Sequence, residues 1–511
     1  VEAIAVGGLG TPTLATRAFR PLQRMFGPSM GICFDRPWHP VDRIGDLVRY
    51  RLPLTRSRSD KGGRTEARFA EPLLRRALPR ALRHVPMTFV DHHLAHAESA
   101  WRTSGPGDWL VVTADAHGDG RSFTAWHGRP GQPLTLLREV DVHASVGAFY
   151  AYVTKALGFR PGRHEGKVLG LSARGDAGNV AASYPFRWEG EALRFDGAWG
   201  LEGSRRVKRL AAAGREDLSA WVQAGTERVL VEAVEKLVAR CGASQLALAG
   251  GVFANVCVNG RLAGLPGIER IHVFPHMGDG GLAAGAALHV ADRPPRALGR
   301  ATLGPDLEPA AVDAAVADSG FAITRPRNPD AVLVDALVAG RPVVRCTGRM
   351  EFGPRALGHR SVLAPAADAG ITAPLGRALD RDDFMPFAPI LRDEDAADAF
   401  AGLDVARDAA RHMTIALPTT ASFRASCPAA VHVDGTARPQ LVREDEAPAL
   451  HALLSAYVER TGRPALINTS FNMHEEPIVC SPHDAVRAFR ESGLPLMRLG
   501  DIVLENPAST W

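Results

Sequence analysis

Short apolar runs that end in glycine-bearing turns and lead into segments of helical period recur along this chain, and this alternation constrains its fold more than any other feature. MTFV (Met87 to Val90) leads into HHLAHAESAW, and WLVVTA (Trp109 to Ala114) reads as a buried strand. HGDG (His117 to Gly120) supplies turn residues, and RSFTAWH returns as the second strand of a hairpin. Leu218 to Gly242 has the period of a helix ending in basic residues and a glycine. QLALAGG (Gln245 to Gly251) and RIHVFP (Arg270 to Pro275) are further strands, each running into glycines and a helix. The opening VEAIAVGG reads as one more strand. The class is α/β.

A length of 511 residues exceeds one ordinary domain. The Pro- and Gly-rich stretch DRPPRALGRATLGPDLEP (Asp292 to Pro309) breaks the alternation and divides the chain into domains at 1–295 and 306–511. In the second, PVVRCTG is a strand, HALLSAYVERTG a helix and PALIN a strand. SPHDAVRAFRESG is a helix with Ser481 as N-cap and Pro482 at its first position.

Apolar content of 46% and charged content of 23% are those of a globular protein. No run approaches the roughly 20 apolar residues that span a bilayer. The first ten residues lack the basic start and long apolar core of a signal peptide, so a cytoplasmic protein is expected. The six cysteines form no CxxC pair, which argues against a cysteine-built zinc site. Five lysines against 55 arginines reflect a compositional bias; with a net charge of +4 there is no basic excess of the kind that marks a nucleic-acid binder. The densest basic run, Arg51 to Arg64, reads as a surface loop.

Four sites carry chemistry. His92 and His96, four apart, fall on one helix face and can share a metal, with a histidine pair at a helix surface or cap as the alternative. His93 is the odd one out. Asp115 ends a strand and can hold a metal; Asp119 and Gly120 serve the turn or cradle phosphate oxygens. Gly250 and Gly251 open a helix where a nucleotide can approach the backbone, and Asn255, one turn in, bonds that nucleotide or caps the helix. Asp279 lies in a glycine loop at a helix N-terminus, a place for a metal-bound phosphate or a plain cap. Two histidines and two aspartates, read as coming from four strand ends, suit iron, manganese or zinc.

HHLAHA, DAHGDG, HEGKVLGLSARG (His164 to Gly175), LAGGVFANV and MGDGGLAAGAA together resemble the first domain of bacterial O-carbamoyltransferases of the nodulation and cephem type. GRMEFGPRALGHRS, DFMPFAP, HVDGTARPQLV and LINTSFNMHEEPIV resemble their second domain. The resemblance implies an actin/sugar-kinase-like N-terminal domain and a YrdC-like C-terminal one. It implies that the second domain makes carbamoyl-adenylate from carbamoyl phosphate and ATP (with Mg), and that the first passes the carbamoyl group to a hydroxyl of a small-molecule acceptor beside a metal, iron first. His92, His96, Asp115 and Asp279 match the metal ligands, and Arg355 and Arg438 the phosphate-binding arginines. Arg349 and Arg360 sit in glycine-bearing turns nearby; Ser470 and Asn472 can hold a carbamoyl or phosphate group. Lys167 is a substrate or nucleotide contact that Glu165 can orient.

Two departures stand out. The strand and His-Asp turn that usually open the first domain are not found before Val1, so either a segment lies upstream or this form lacks part of its active site. Leu379 and Met385 also stand where relatives carry basic residues, with Arg377 and Arg381 near enough to substitute. A tRNA threonylcarbamoyl-type transferase and an inactive nucleotide-binding descendant are the alternatives. The first would not need FGPRALG or NTSFN, and the intact histidine–aspartate set argues against the second.

Overall fold

The computed structural model describes residues 3–7, 71–72, 74–380 and 386–511. The run from Arg51 to Arg64, Arg381 and Met385 lie outside the described residues. The chain divides into two compact units, Val1–Ala297 and Leu298–Trp511.

In the first unit β1 (Ile4–Gly7) pairs in parallel with β2 (Met87–Val90). A separate five-stranded sheet is built from β3 (Trp109–Gly118), β4 (Arg121–Gly128), β5 (Thr135–Asp141), β8 (Gln245–Ala249) and β9 (Arg270–Val273), in the order β5-β4-β3-β8-β9. β6 (Phe186–Glu189) and β7 (Ala192–Phe195) form a small hairpin. The β3–β4–β5 side is antiparallel and the β3–β8–β9 side parallel. β3 is central and buried from Trp109 through Ala114, which is why it reads as an unbroken apolar run rather than an alternating one. It does not stop at Ala114, where the sequence suggested; it runs on irregularly to Gly118 and turns on Asp119-Gly120 alone. Both turn residues have positive φ, 47° and 83°, the backbone that matches a hairpin's right-handed twist.

Six helices of this unit matter for the site: α1 (His92–Ser104), α2 (Val146–Ala156), α3 (Glu165–Ser172), α4 (Arg215–Cys241), α5 (Val256–Ala263) and α6 (Leu282–Ala291). Asp91 caps α1 by accepting from Leu94 N, and every residue of α1 except Leu94 is buried. α1 lies against α6 at Gly285, where a Cβ would land on the Ala95 carbonyl; only glycine allows the two backbones so close. Asn255 is not inside α5 but caps it, accepting from Val258 N.

The second unit is built on an eight-stranded mixed sheet, ordered β10-β19-β18-β11-β12-β17-β13-β16. Its strands are β10 (Ala322–Thr324), β11 (Val343–Cys346), β12 (Arg360–Pro365), β13 (Ala388–Arg392), β16 (Gln440–Val442), β17 (Ala465–Ser470), β18 (Leu496–Leu499) and β19 (Ile502–Glu505). β14 (Leu417–Pro418) and β15 (Thr436–Ala437) pair separately. α7 (Pro329–Val338) and α8 (Pro448–Thr461) cover a core that includes Leu333, Leu363, Ile390, Leu454 and Leu466. α9 (Pro482–Ser492) starts with a full capping box between Ser481 and Asp484. Arg345, 2% exposed, shares the Asp330 carboxylate with Arg498 and donates to Gly358 O. Among the described residues no helix is long and apolar enough to cross a membrane.

Candidate metal centre and anion-binding elements

His92, His96, Asp115 and Asp279 meet, with one ligand atom from each lying within 4.8 Å of all the others. They come from three elements rather than four strand ends: the start of α1, the end of β3, and the turn before α6. The Nε2 atoms of His92 and His96 lie 3.7 and 3.2 Å from Asp115 Oδ2, and each lies 3.6 Å from Asp279 Oδ1. Neither Nε2 is aligned for a hydrogen bond, although both are buried. Burial pushes the His92 imidazolium down, but Asp115, Asp279 and Asp119 push it up further, to about 9. Burial likewise raises Asp115, and the two histidines outweigh it, holding the carboxyl well below the usual range. The field at this point calls for positive charge. Two imidazoles and two carboxylates also fit a divalent ion of the iron, manganese or zinc type.

Local structure holds the four in place. His92 N donates to Asp119 Oδ2 at 2.8 Å, tying the start of α1 to the β3–β4 turn. Arg121 reaches Asp91 Oδ2 at 2.9 Å from the same turn. Gly118 is where the imidazole of His92 passes the strand: a Cβ there would sit 2.6 Å from Nε2 and closer still to Cδ2 and Cγ, well inside contact distance of the ring. Gly251 N donates to Asp115 Oδ2 at 3.1 Å. Ser145, the α2 cap, hydrogen-bonds the carbonyls of Ala116 and Asp115. Ser145 was not singled out in the sequence, because a serine before an apolar helix is an ordinary cap.

The nucleotide candidates of the first unit are arranged differently from expectation. Gly250 and Gly251 lead into a short 3₁₀ turn, not an α-helix. Asn255 is engaged as the α5 cap and with Gln223 of α4, at 2.8 Å from its Nδ2. Gln223 in turn meets Tyr150 and Glu227, a polar cluster that no motif announced. Asp119 and Gly120 make the hairpin turn. Glu165 accepts from Gly162 N, and burial pushes its carboxyl up. Lys167 stands 5.9 Å over the Phe159 ring.

In the second unit Arg349 is exposed, with its fork on the carbonyls of Leu303 and Gly304. Arg360 is not in a turn; it is the first residue of β12, fully buried, its Nη1 on the carbonyls of Thr347, Gly348 and His359. The carboxylate of Glu351, buried in the same loop, accepts from Leu357, His359 and Arg360 N–H groups. Arg355 lies in this loop, and burial pulls its guanidinium down to about 10, still charged at neutral pH. Arg438 lies in the link from β15 to β16, and Ser470 ends β17 opposite Ser361. Asn472 donates to the carbonyls of Met473 and Glu476, holding the loop after β17. Leu379 is fully buried and Arg377 exposed.

Comparison with known proteins names the class. The carbamoyltransferase N-terminus model matches residues 69–288, and the carbamoyltransferase C-terminus model residues 334–506. Nodulation protein NolO of Bradyrhizobium diazoefficiens is 33% identical over 442 residues, covering 82% of this chain and 80% of its own. The 3'-hydroxymethylcephem-O-carbamoyltransferase of Amycolatopsis lactamdurans is 30% identical over 391 residues, covering 72% and 71%. Among solved structures, full-length HypF in its phosphate- and nucleotide-bound form overlaps at 13% identity and a TM-score of 0.31, over 45% of this chain and 38% of that one. The chain belongs to the carbamoyltransferase family and is a transferase.

Proposed function

We propose that this enzyme is an O-carbamoyltransferase that works in two steps. In residues 306–511, taken as YrdC-like, Arg355 and Arg438 hold the phosphates of carbamoyl phosphate and ATP, with Ser470 and Asn472 at the carbamoyl end. Water first cleaves carbamoyl phosphate to carbamate and phosphate; a carbamate oxygen then bonds to the α-phosphorus of ATP, the bond to pyrophosphate breaks, and carbamoyl-adenylate remains. In residues 1–295, taken as actin/sugar-kinase-like, the adenylate is received at the Gly250–Gly251 turn. An acceptor hydroxyl oxygen then forms a bond to the carbamoyl carbon, the bond to the AMP oxygen breaks, and the hydroxyl proton is lost. His92, His96, Asp115 and Asp279 would hold a divalent metal, iron first, which when bound polarises the carbamoyl carbonyl as a Lewis acid. The observation that carries this reading is the convergence of those four side chains, aligned on no protein hydrogen bond at either Nε2.

The named activity of the Amycolatopsis relative makes a small molecule bearing a hydroxymethyl group the first acceptor class to try. The test separates the two steps. Carbamoyl phosphate should support exchange of labelled pyrophosphate into ATP. Arg438→Met should abolish that exchange, while His96→Ala should retain it and lose transfer to the acceptor. Loss of both steps in His96→Ala, or no exchange in the parent enzyme, refutes the division.

A further inference from the structure

Three histidines open α1, yet only two face the carboxylates. The third, His93, is fully buried, its ring centroid 5.4 Å from that of His92 and 6.4 Å from that of His96. Its Nδ1 lies 2.6 Å from Thr113 Oγ1. Thr113 Oγ1 lies 2.7 Å from Thr124 Oγ1 across the β3–β4 pair, and Trp126 Nε1 donates to Thr124 Oγ1 at 2.7 Å. Both threonines are fully buried.

Only one direction of this chain uses every hydroxyl proton within it. Hydroxyls and imidazoles both donate and accept, but an indole N–H only donates. With Trp126 donating to Thr124, each hydroxyl proton is used once if Thr124 donates to Thr113 and Thr113 to His93. His93 Nδ1 is then the acceptor, and the ring proton sits on Nε2. A nitrogen whose lone pair is taken, and another that carries a proton, have nothing to give a cation. The anchor is also well placed. Thr113 precedes Asp115 by two residues on the same strand, so the bond that holds α1 in rotation starts beside one of the carboxylates that the helix must face.

We propose that the Trp126–Thr124–Thr113 chain locks His93 as its Nε2–H tautomer, making it a positioning residue. It keeps the third imidazole out of the metal set and fixes the rotation of α1, so that His92 and His96 both turn Nε2 toward Asp115 and Asp279. This rests on the metal reading above.

The test uses the full chain, with Zn²⁺ and Fe²⁺ titrated against a chromophoric chelator and histidine ¹⁵N spectra recorded with and without Zn²⁺. The parent should show His93 as a single Nε2–H species. Thr113→Val, which keeps the side-chain shape, should give mixed tautomers and bind both ions about tenfold more weakly, the lower end of what outer-shell changes cost. Thr113→Ser should restore both readouts, and Trp126→Phe should mix the tautomers even where affinity falls less. His96→Ala should lose metal with the His93 signal unmoved. Unchanged affinity and tautomer in Thr113→Val overturn the lock. A parent chain that binds neither ion overturns the metal reading, and the positioning role with it.

Discussion

Replacing Gly118 by alanine should perturb the proposed metal centre through a residue with no functional group of its own. The backbone there does not occupy the left-handed region, so alanine is conformationally acceptable. Its Cβ, however, would lie 2.6 Å from His92 Nε2 and closer still to Cδ2 and Cγ, and ordinary contact begins at 3.4 Å, so the imidazole must yield by well over 0.8 Å. Metal–ligand bonds tolerate only about 0.2 Å, so the displaced ring can no longer share an ion with the other three. Overpacking of this kind costs about 1–3 kcal/mol of fold stability, small enough to leave a folded protein. Losing one of four ligands should weaken metal binding by on the order of 100-fold, beyond what outer-shell changes usually cost. Competition with a chromophoric chelator measures the affinity, circular dichroism checks the fold, and pyrophosphate exchange in the second unit should be unaffected. A folded Gly118→Ala variant with parental metal affinity would refute the steric argument.

Two further outcomes follow from packing and charge. Gly285→Val should force α6 off the Ala95 carbonyl and Ser99 (3.1 Å from an added Cβ), lowering the melting temperature of the first unit and weakening metal binding through Asp279; an unchanged melting curve contradicts the close approach. Asp330→Asn removes the carboxylate that Arg345 and Arg498 share, leaving Arg498 only the exposed Asp501 at 3.9 Å, and should destabilise the second unit by about 3–5 kcal/mol near neutral pH. Burial raises the Asp330 carboxyl, but the two arginines outweigh it and hold it below its ordinary value. Its contribution is therefore present above the unfolded-state pKa and lost as pH falls through the folded one. Urea midpoints of parent and variant should converge in acid, and a constant gap from pH 7 down to pH 3 would contradict this.

What could be read from the sequence was local. His92 and His96 are four apart in a helix, and a helix of that period puts them side by side whatever surrounds it. The capping box at Ser481 and the Asp119-Gly120 turn are likewise written in neighbouring residues. What escaped depends on pairings between distant segments. His93 looked idle because its partner, Thr113, is on another strand, and nothing near His93 announces it. Asn255 was open to two readings; the structure shows its cap role and its bond to Gln223 on α4. Arg360 looked like a turn residue because Gly358 lies two residues before it, whereas pairing with Cys346 makes it the buried start of a strand. The strand order of the eight-stranded sheet has no local signature at all.

The four side chains of the cluster come from the start of α1, the end of β3 and the distant turn before α6, which the fold closes on a single point. Any cation held there ties all three together, and it binds the folded unit in preference to an unfolded chain in which the ligands are scattered. Such a cation at one hundred times its dissociation constant would add about 2.7 kcal/mol to the stability of that unit by mass action alone. Chelation during purification would then act as a mild denaturant of one half of the enzyme, and the free metal level around the protein would set how long that half survives.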